Sequence, residues 1–103
     1  MKNVKLTPRQ IDIVNYLEAD IMWELDKRKH NKEYAESQKG KWYWALKNTD
    51  TDCGIIYAHL TIDMIFNYLK KHNKEVYDAI SEMSIELHPT DGLLIYVKFE
   101  NNI

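Results

Sequence analysis

One stretch, Thr7 to His30, constrains the fold more than any other, because at 100° per residue it is apolar on two opposite sides of a helix. Ile11, Val14, Leu17, Ile21, Met22 and Leu25 line up as one wide stripe, enough to anchor a core. Tyr16, Ala19 and Trp23 fall on the reverse side, where a surface helix is ordinarily polar. Such a helix is either sandwiched between two layers or turns one side toward a partner. A chain of 103 residues has little material for a second layer. The ridge therefore lies under the 31–40 loop, under an aromatic strand further on, or against a second copy or a foreign protein.

Local signals fix where this helix begins and ends. Thr7 can cap, Pro8 suits the first helical position, and Gln10 completes a capping box. Lys27, Arg28, Lys29 and His30 complement the negative pole of the helix dipole. From Asn31 to Gly40 the chain is polar and reads as a fraying helix end followed by a loop.

Lys41 to Lys47 reads as a strand, since Trp42, Tyr43 and Trp44 favour extended backbone. The turn-forming run Asn48 to Asp52 leads to a second strand candidate, Gly54 to Ala58, so the centre is a lone strand or a hairpin. Thr61 caps a second helix with the stripe Ile62, Ile65, Phe66 and Leu69. A third helix, about Lys74 to Met83, places Val76, Ala79, Ile80 and Met83 on one side. Ser84 to His88 and Leu93 to Glu100 alternate at period two around Pro89-Thr90-Asp91-Gly92, a C-terminal hairpin. Ile85, Leu87, Leu93, Ile95, Val97 and Phe99 face the core of that hairpin, and Glu86, His88, Tyr96, Lys98 and Glu100 face outward. The expected fold is a single α+β domain spanning residues 1–103, with long N-terminal helix, central strand or hairpin, two helices and hairpin.

Composition narrows the function classes. With 14 basic and 16 acidic residues the net charge is −2, too mild for strong nonspecific attraction to nucleic acid or an anionic membrane. Apolar runs fall far short of the roughly 20 residues that cross a bilayer, and Met1 to Leu6 lacks the hydrophobic run of a secretion signal. One cysteine, Cys53, cannot form an internal disulfide, so a reducing cytoplasm is expected.

Candidate chemistry does not assemble. Asn48-x-Asp50-x-Asp52-x-Gly54 resembles the start of an EF-hand calcium loop, but Cys53 stands where the glycine belongs and His59 where the bidentate glutamate belongs. Cys53, His30, His59, His72 and His88 form no CxxC, HxxxH or HExxH. His59 and Asp63 lie on either side of a helix cap, and Asp63 is explained by the helix dipole. Glu18 projects into the core stripe, either as a carboxylate with a raised pKa or as an edge residue paired with a neighbour. Neither an enzyme nor a cofactor or metal site is expected.

Binding surfaces are the remaining candidates. Trp42 and Trp44 share one strand face and Tyr43 takes the other, so they are core or form an aromatic patch of the kind that dominates protein interfaces. Lys41 and Lys47 flank them, which also suits stacking on single-stranded bases. Lys27, Arg28, Lys29 and Lys32 form the one basic cluster, a solvated helix end or a nucleic-acid patch, bracketed by Asp26 and Glu33.

The order helix 61–72, short turn, helix 74–83 and hairpin 84–100 resembles a winged helix-turn-helix, as does the opening Leu6-Thr7-Pro8-Arg9-Gln10-Ile11. That resemblance implies a DNA-binding regulator, dimeric, reading DNA with the second helix of the pair. Here that helix shows Glu75, Asp78 and Glu82, which repel phosphate, and about thirty residues separate the first two helices. The leading expectation is a small, non-enzymatic, cytoplasmic interaction protein, an inhibitor, adaptor or regulator, whose partner is another protein or itself. Its short, catalytically empty chain, rich in Tyr and Trp, resembles accessory proteins of phages and mobile elements. A winged-helix-like DNA-binding regulator is the alternative.

Overall fold

The computed structural model describes residues 5–45, 60–88 and 92–100. Among them run α1 (Pro8–His30), α2 (Lys32–Gln38), β1 (Tyr43–Ala45), α3 (Ile62–His72), α4 (Lys74–Ala79), β2 (Ile80–His88) and β3 (Gly92–Phe99). The fold is α+β, with a three-stranded antiparallel sheet in the order β1-β3-β2 and a core of helix and strand side chains between helices and sheet.

The long helix starts as its residues dictate. The Gln10 amide donates to Thr7 Oγ1 at 3.2 Å, and the Thr7 amide donates to Gln10 Oε1 at 2.9 Å, a closed capping box with Pro8 behind it. Its buried face is Gln10, Ile13, Val14, Leu17, Ile21, Glu24, Leu25 and Arg28, a regular three-four spacing. This differs from the apolar stripe expected above. Ile11 is only half-buried, Met22 is exposed and Glu18 sits half-buried at the edge. The stripe is rotated because Glu24 and Arg28 satisfy each other and can enter the interior together.

The 31–40 stretch is a helix followed by a turn, rather than a loop. Asn31 adopts an extended backbone that ends α1, and its side chain accepts from the Tyr34 amide at 3.0 Å to cap α2. Gly40, at φ 77°, takes the left-handed conformation that releases the chain toward β1.

β1 is shorter than Lys41–Lys47 and joins the far edge of β3, with Trp44 opposite Tyr96 and Ala45 opposite Ile95. The expected partner strand at Gly54–Ala58 lies outside the described residues. Thr61 caps α3 through the Met64 amide, 3.2 Å, and Ile65 and Leu69 are fully buried. α4 stops at Ala79, short of Met83. The spacing of Ile80 and Met83 suits a helix face, but a bulge lets a strand meet it too. Ile80 pairs with Phe99, Glu82 with Lys98 and Met83 with Val97, so Ser81 is the extra residue. The Ser81 hydroxyl donates to the Lys98 carbonyl at 3.0 Å, and both Ile80 and Met83 stay inside. Val97 and Ile95 complete the inner face of the hairpin, with Ile85 partly buried beside them.

Candidate functional site

Because α1 buries one face completely, its opposite face is left to the surroundings. Tyr16 is 63% exposed and Trp23 67% exposed, with Ala19 exposed between them. Neither α2 nor the aromatic strand covers this ridge. Met22, placed in the core by apolar character alone, is 44% exposed and extends the patch.

The patch has two built flanks. On one side the C-terminal end of α3 comes alongside: the Tyr68 hydroxyl donates to Asn15 Oδ1 at 3.3 Å, the His72 ring lies 4.3 Å from that of Tyr68, and Asn73 Nδ2 donates to Met22 Sδ at 3.2 Å. On the other side Lys27 Nζ lies 4.1 Å from the Tyr34 ring of α2 and 5.9 Å from that of Trp23. Sequence alone does not point to Tyr68, and it takes Met22 as core and His72 as a lone histidine, because which flank α3 lands on is decided by packing.

The second aromatic group divides between inside and outside. Tyr43 turns inward, its ring 6.1 Å from Phe99 and its hydroxyl donating to Asp20 Oδ1 at 2.9 Å. Trp42 is 44% exposed beneath Lys98 Nζ at 4.8 Å, and Trp44 lies half-buried 6.3 Å from Tyr96 on the outer sheet face.

Between α1 and α2 lies a buried polar cluster. Arg28 Nε donates to Glu24 Oε2 at 2.9 Å, the Tyr34 hydroxyl donates to the same oxygen at 2.7 Å, and the guanidinium stacks 4.4 Å from the Phe99 ring. Among the described residues, every buried side-chain polar atom has a partner. Burial first, then the hydrogen bond to Glu24, pushes the Tyr34 phenol up to about 12. Burial and then Asp20 raise the Tyr43 phenol as well. Unfolded phenols ionise near pH 10, so this contribution to stability is intact below pH 10 and is lost as pH climbs toward 12. Alkaline titration of tyrosinate absorbance should therefore show two late phenols, with thermal stability falling over the same interval. A single step overlaying that of the urea-unfolded chain would contradict the placement.

This cluster corrects the basic patch. Arg28 is buried and serves the core, out of reach of phosphate. Lys29 Nζ is tied to Glu75 Oε1 at 2.7 Å, a contact that raises its pKa, and Lys27 is seated on Tyr34. Lys32 is exposed. Arg28 is thus withdrawn from the run, and two of the three exposed lysines already have partners.

Among the described residues no three His, Cys, Asp or Glu side chains gather around a point, and no helix is long and apolar enough to cross a membrane. Cys53, His59 and the Asn48–Gly54 motif lie outside the described residues. No protein-family model, curated protein or solved structure matches this chain.

Proposed function

We propose that this chain is a small, non-enzymatic protein-interaction module, an inhibitor, adaptor or regulator, that acts by laying the aromatic outer face of α1 against another polypeptide. The observation that carries the reading is the exposure of Tyr16 and Trp23 on a helix whose opposite face already fills the core. Burying a large aromatic side chain is worth roughly 1.5–3 kcal/mol, which two rings left in water forgo until something covers them. Large rings on a rigid helix also lose little conformational freedom on binding, which is why they recur as interface anchors. The single cysteine suits a reducing cytoplasm.

The second reading, a winged-helix-like DNA-binding regulator, is favoured by the order of elements. α3 and α4 meet at Asn73 alone, and the β2–β3 hairpin follows directly. Against it, α4 has six residues, and Glu75 and Asp78 on it engage Lys29 and Lys74. A phosphate backbone would have to displace both ion pairs and then face the carboxylates.

One experiment separates the two. A photo-crosslinking residue is installed at Tyr16, Trp23 or Lys32 and irradiated in the native host. The interaction reading expects nuclease-resistant protein adducts from Tyr16 and Trp23, with the Tyr16 adduct lost when Trp23→Ala is added, a change that keeps the unfolding free energy within about 0.5 kcal/mol of wild type. Nuclease-sensitive adducts from Lys32, with none from the α1 positions, would overturn it in favour of DNA.

A further inference from the structure

From the pattern of the α1 outer face we infer that its occupant is a second copy of this chain, packed antiparallel on the same face about a two-fold axis near Ala19. The inference rests on the reading above that this face is an interface, and names its partner.

The argument is self-complementarity. In an antiparallel helix pair centred between residues 19 and 20, each residue meets the one whose number completes a sum of 39. Tyr16 then meets Trp23 of the partner subunit, twice over by symmetry. Asp12, exposed one turn before Tyr16, meets Lys27 of the partner subunit. Asp26, next to that lysine, has the His30 ring 3.3 Å from its own carboxylate. Ala19 at the crossing is small enough to let the two helices approach closely. A parallel arrangement would instead set Asp12 on Asp12 and Lys27 on Lys27, turning both charge contacts repulsive. The same geometry brings the α3 sides of the two protomers together, so the Tyr68–His72 rings extend the contact.

Size sets the expected strength. Four rings, each about two-thirds exposed, would bury roughly 500 Å², about a third of a standard interface. With Met22 and the Lys27 stem added, the contact belongs to the small, weak class, so dimerisation should depend on concentration in the micromolar range.

Sedimentation equilibrium of the full chain reads the outcome. The mass should rise from 12.3 kDa toward twice that value with concentration. Trp23→Ala should weaken association by at least about tenfold. Asp12→Lys and Lys27→Glu should each weaken it severalfold, and the doubly swapped chain should recover to within about threefold of wild type. Within one protomer these two side chains sit about 22 Å apart along the helix, beyond the roughly 8 Å screening length at physiological salt, so rescue has to act between copies. Circular dichroism of each variant confirms that α1 is intact. A chain monomeric up to about 500 μM, a Trp23→Ala variant that associates normally, or a double swap no better than its singles would each overturn the dimer. A foreign protein crosslinked at Trp23 in a monomeric chain would overturn it while leaving the interaction reading standing. A monomer with no adduct at Tyr16 or Trp23 would remove both.

Discussion

Replacing Arg28 with alanine should destabilise the fold by about 3–5 kcal/mol, although the residue belongs to a basic run that reads as a surface feature. Its guanidinium and the Glu24 carboxylate are 3% and 2% exposed and 2.9 Å apart. Removing the cation leaves a carboxylate in the interior beside the Tyr34 hydroxyl without the counter-charge of this pair, and takes away the flat group packed on Phe99. A domain of this size has only about 5–15 kcal/mol of stability in total, so the variant should be partly unfolded at physiological temperature. Equilibrium urea unfolding measures the effect. An Arg28→Ala midpoint within about 1 kcal/mol of wild type would show that the pair is not buried.

The double replacement Glu24→Leu with Arg28→Met sharpens the test. A buried ion pair contributes little net stability over well-packed apolar side chains, so the double variant should recover most of what Arg28→Ala loses. It follows that weaker DNA retention by Arg28→Ala would carry no information about DNA, because loss of the fold produces the same result.

That pair also shows where the sequence is legible and where it stops. Thr7 with Gln10, Thr61, and the alternation around residues 84–100 announce their elements because each signal is local: a side chain meeting a nearby amide, or period two along a strand. Glu24 and Arg28 escape a reading by hydrophobicity, since each alone is a surface residue and only their mutual hydrogen bond makes them interior. Counting them would have turned the α1 stripe toward Ile13 and put Met22 outside. Asn31 could be read as ending α1, but its second role, capping α2, depends on how the chain turns afterward. The α4–β2 boundary was hidden because Ile80 and Met83 satisfy a helical spacing, and the bulge at Ser81 lets a strand satisfy it too. For the candidate surface, Tyr16, Ala19 and Trp23 follow from helical geometry, whereas Tyr68 and His72 arrive through tertiary packing of α3, which leaves no mark in the spacing of α1.

Leu17→Ala should cost about 2–5 kcal/mol, close to the Arg28 effect but by a different route. Leu17 is wholly buried between Val14 and Ile21 on α1, in a core shared with Ile65, Leu69 and Val97. Truncation removes its transfer free energy and leaves a void that a helix held at both flanks cannot readily close. At about 4–8 °C per kcal/mol for a domain of this size, the melting temperature should drop by roughly 8–40 °C. Trp23 lies six positions along the same helix, and its substitution should leave melting almost unchanged when measured below the concentration at which copies associate. The two variants thus make opposite demands on one helix: the inner substitution removes stability, and the outer one removes association. Should Leu17→Ala lose less than about 1.5 kcal/mol, or Trp23→Ala melt as early as Leu17→Ala, α1 would not be seated with its leucine face inward, and its aromatic face could not be the free surface on which the interaction depends.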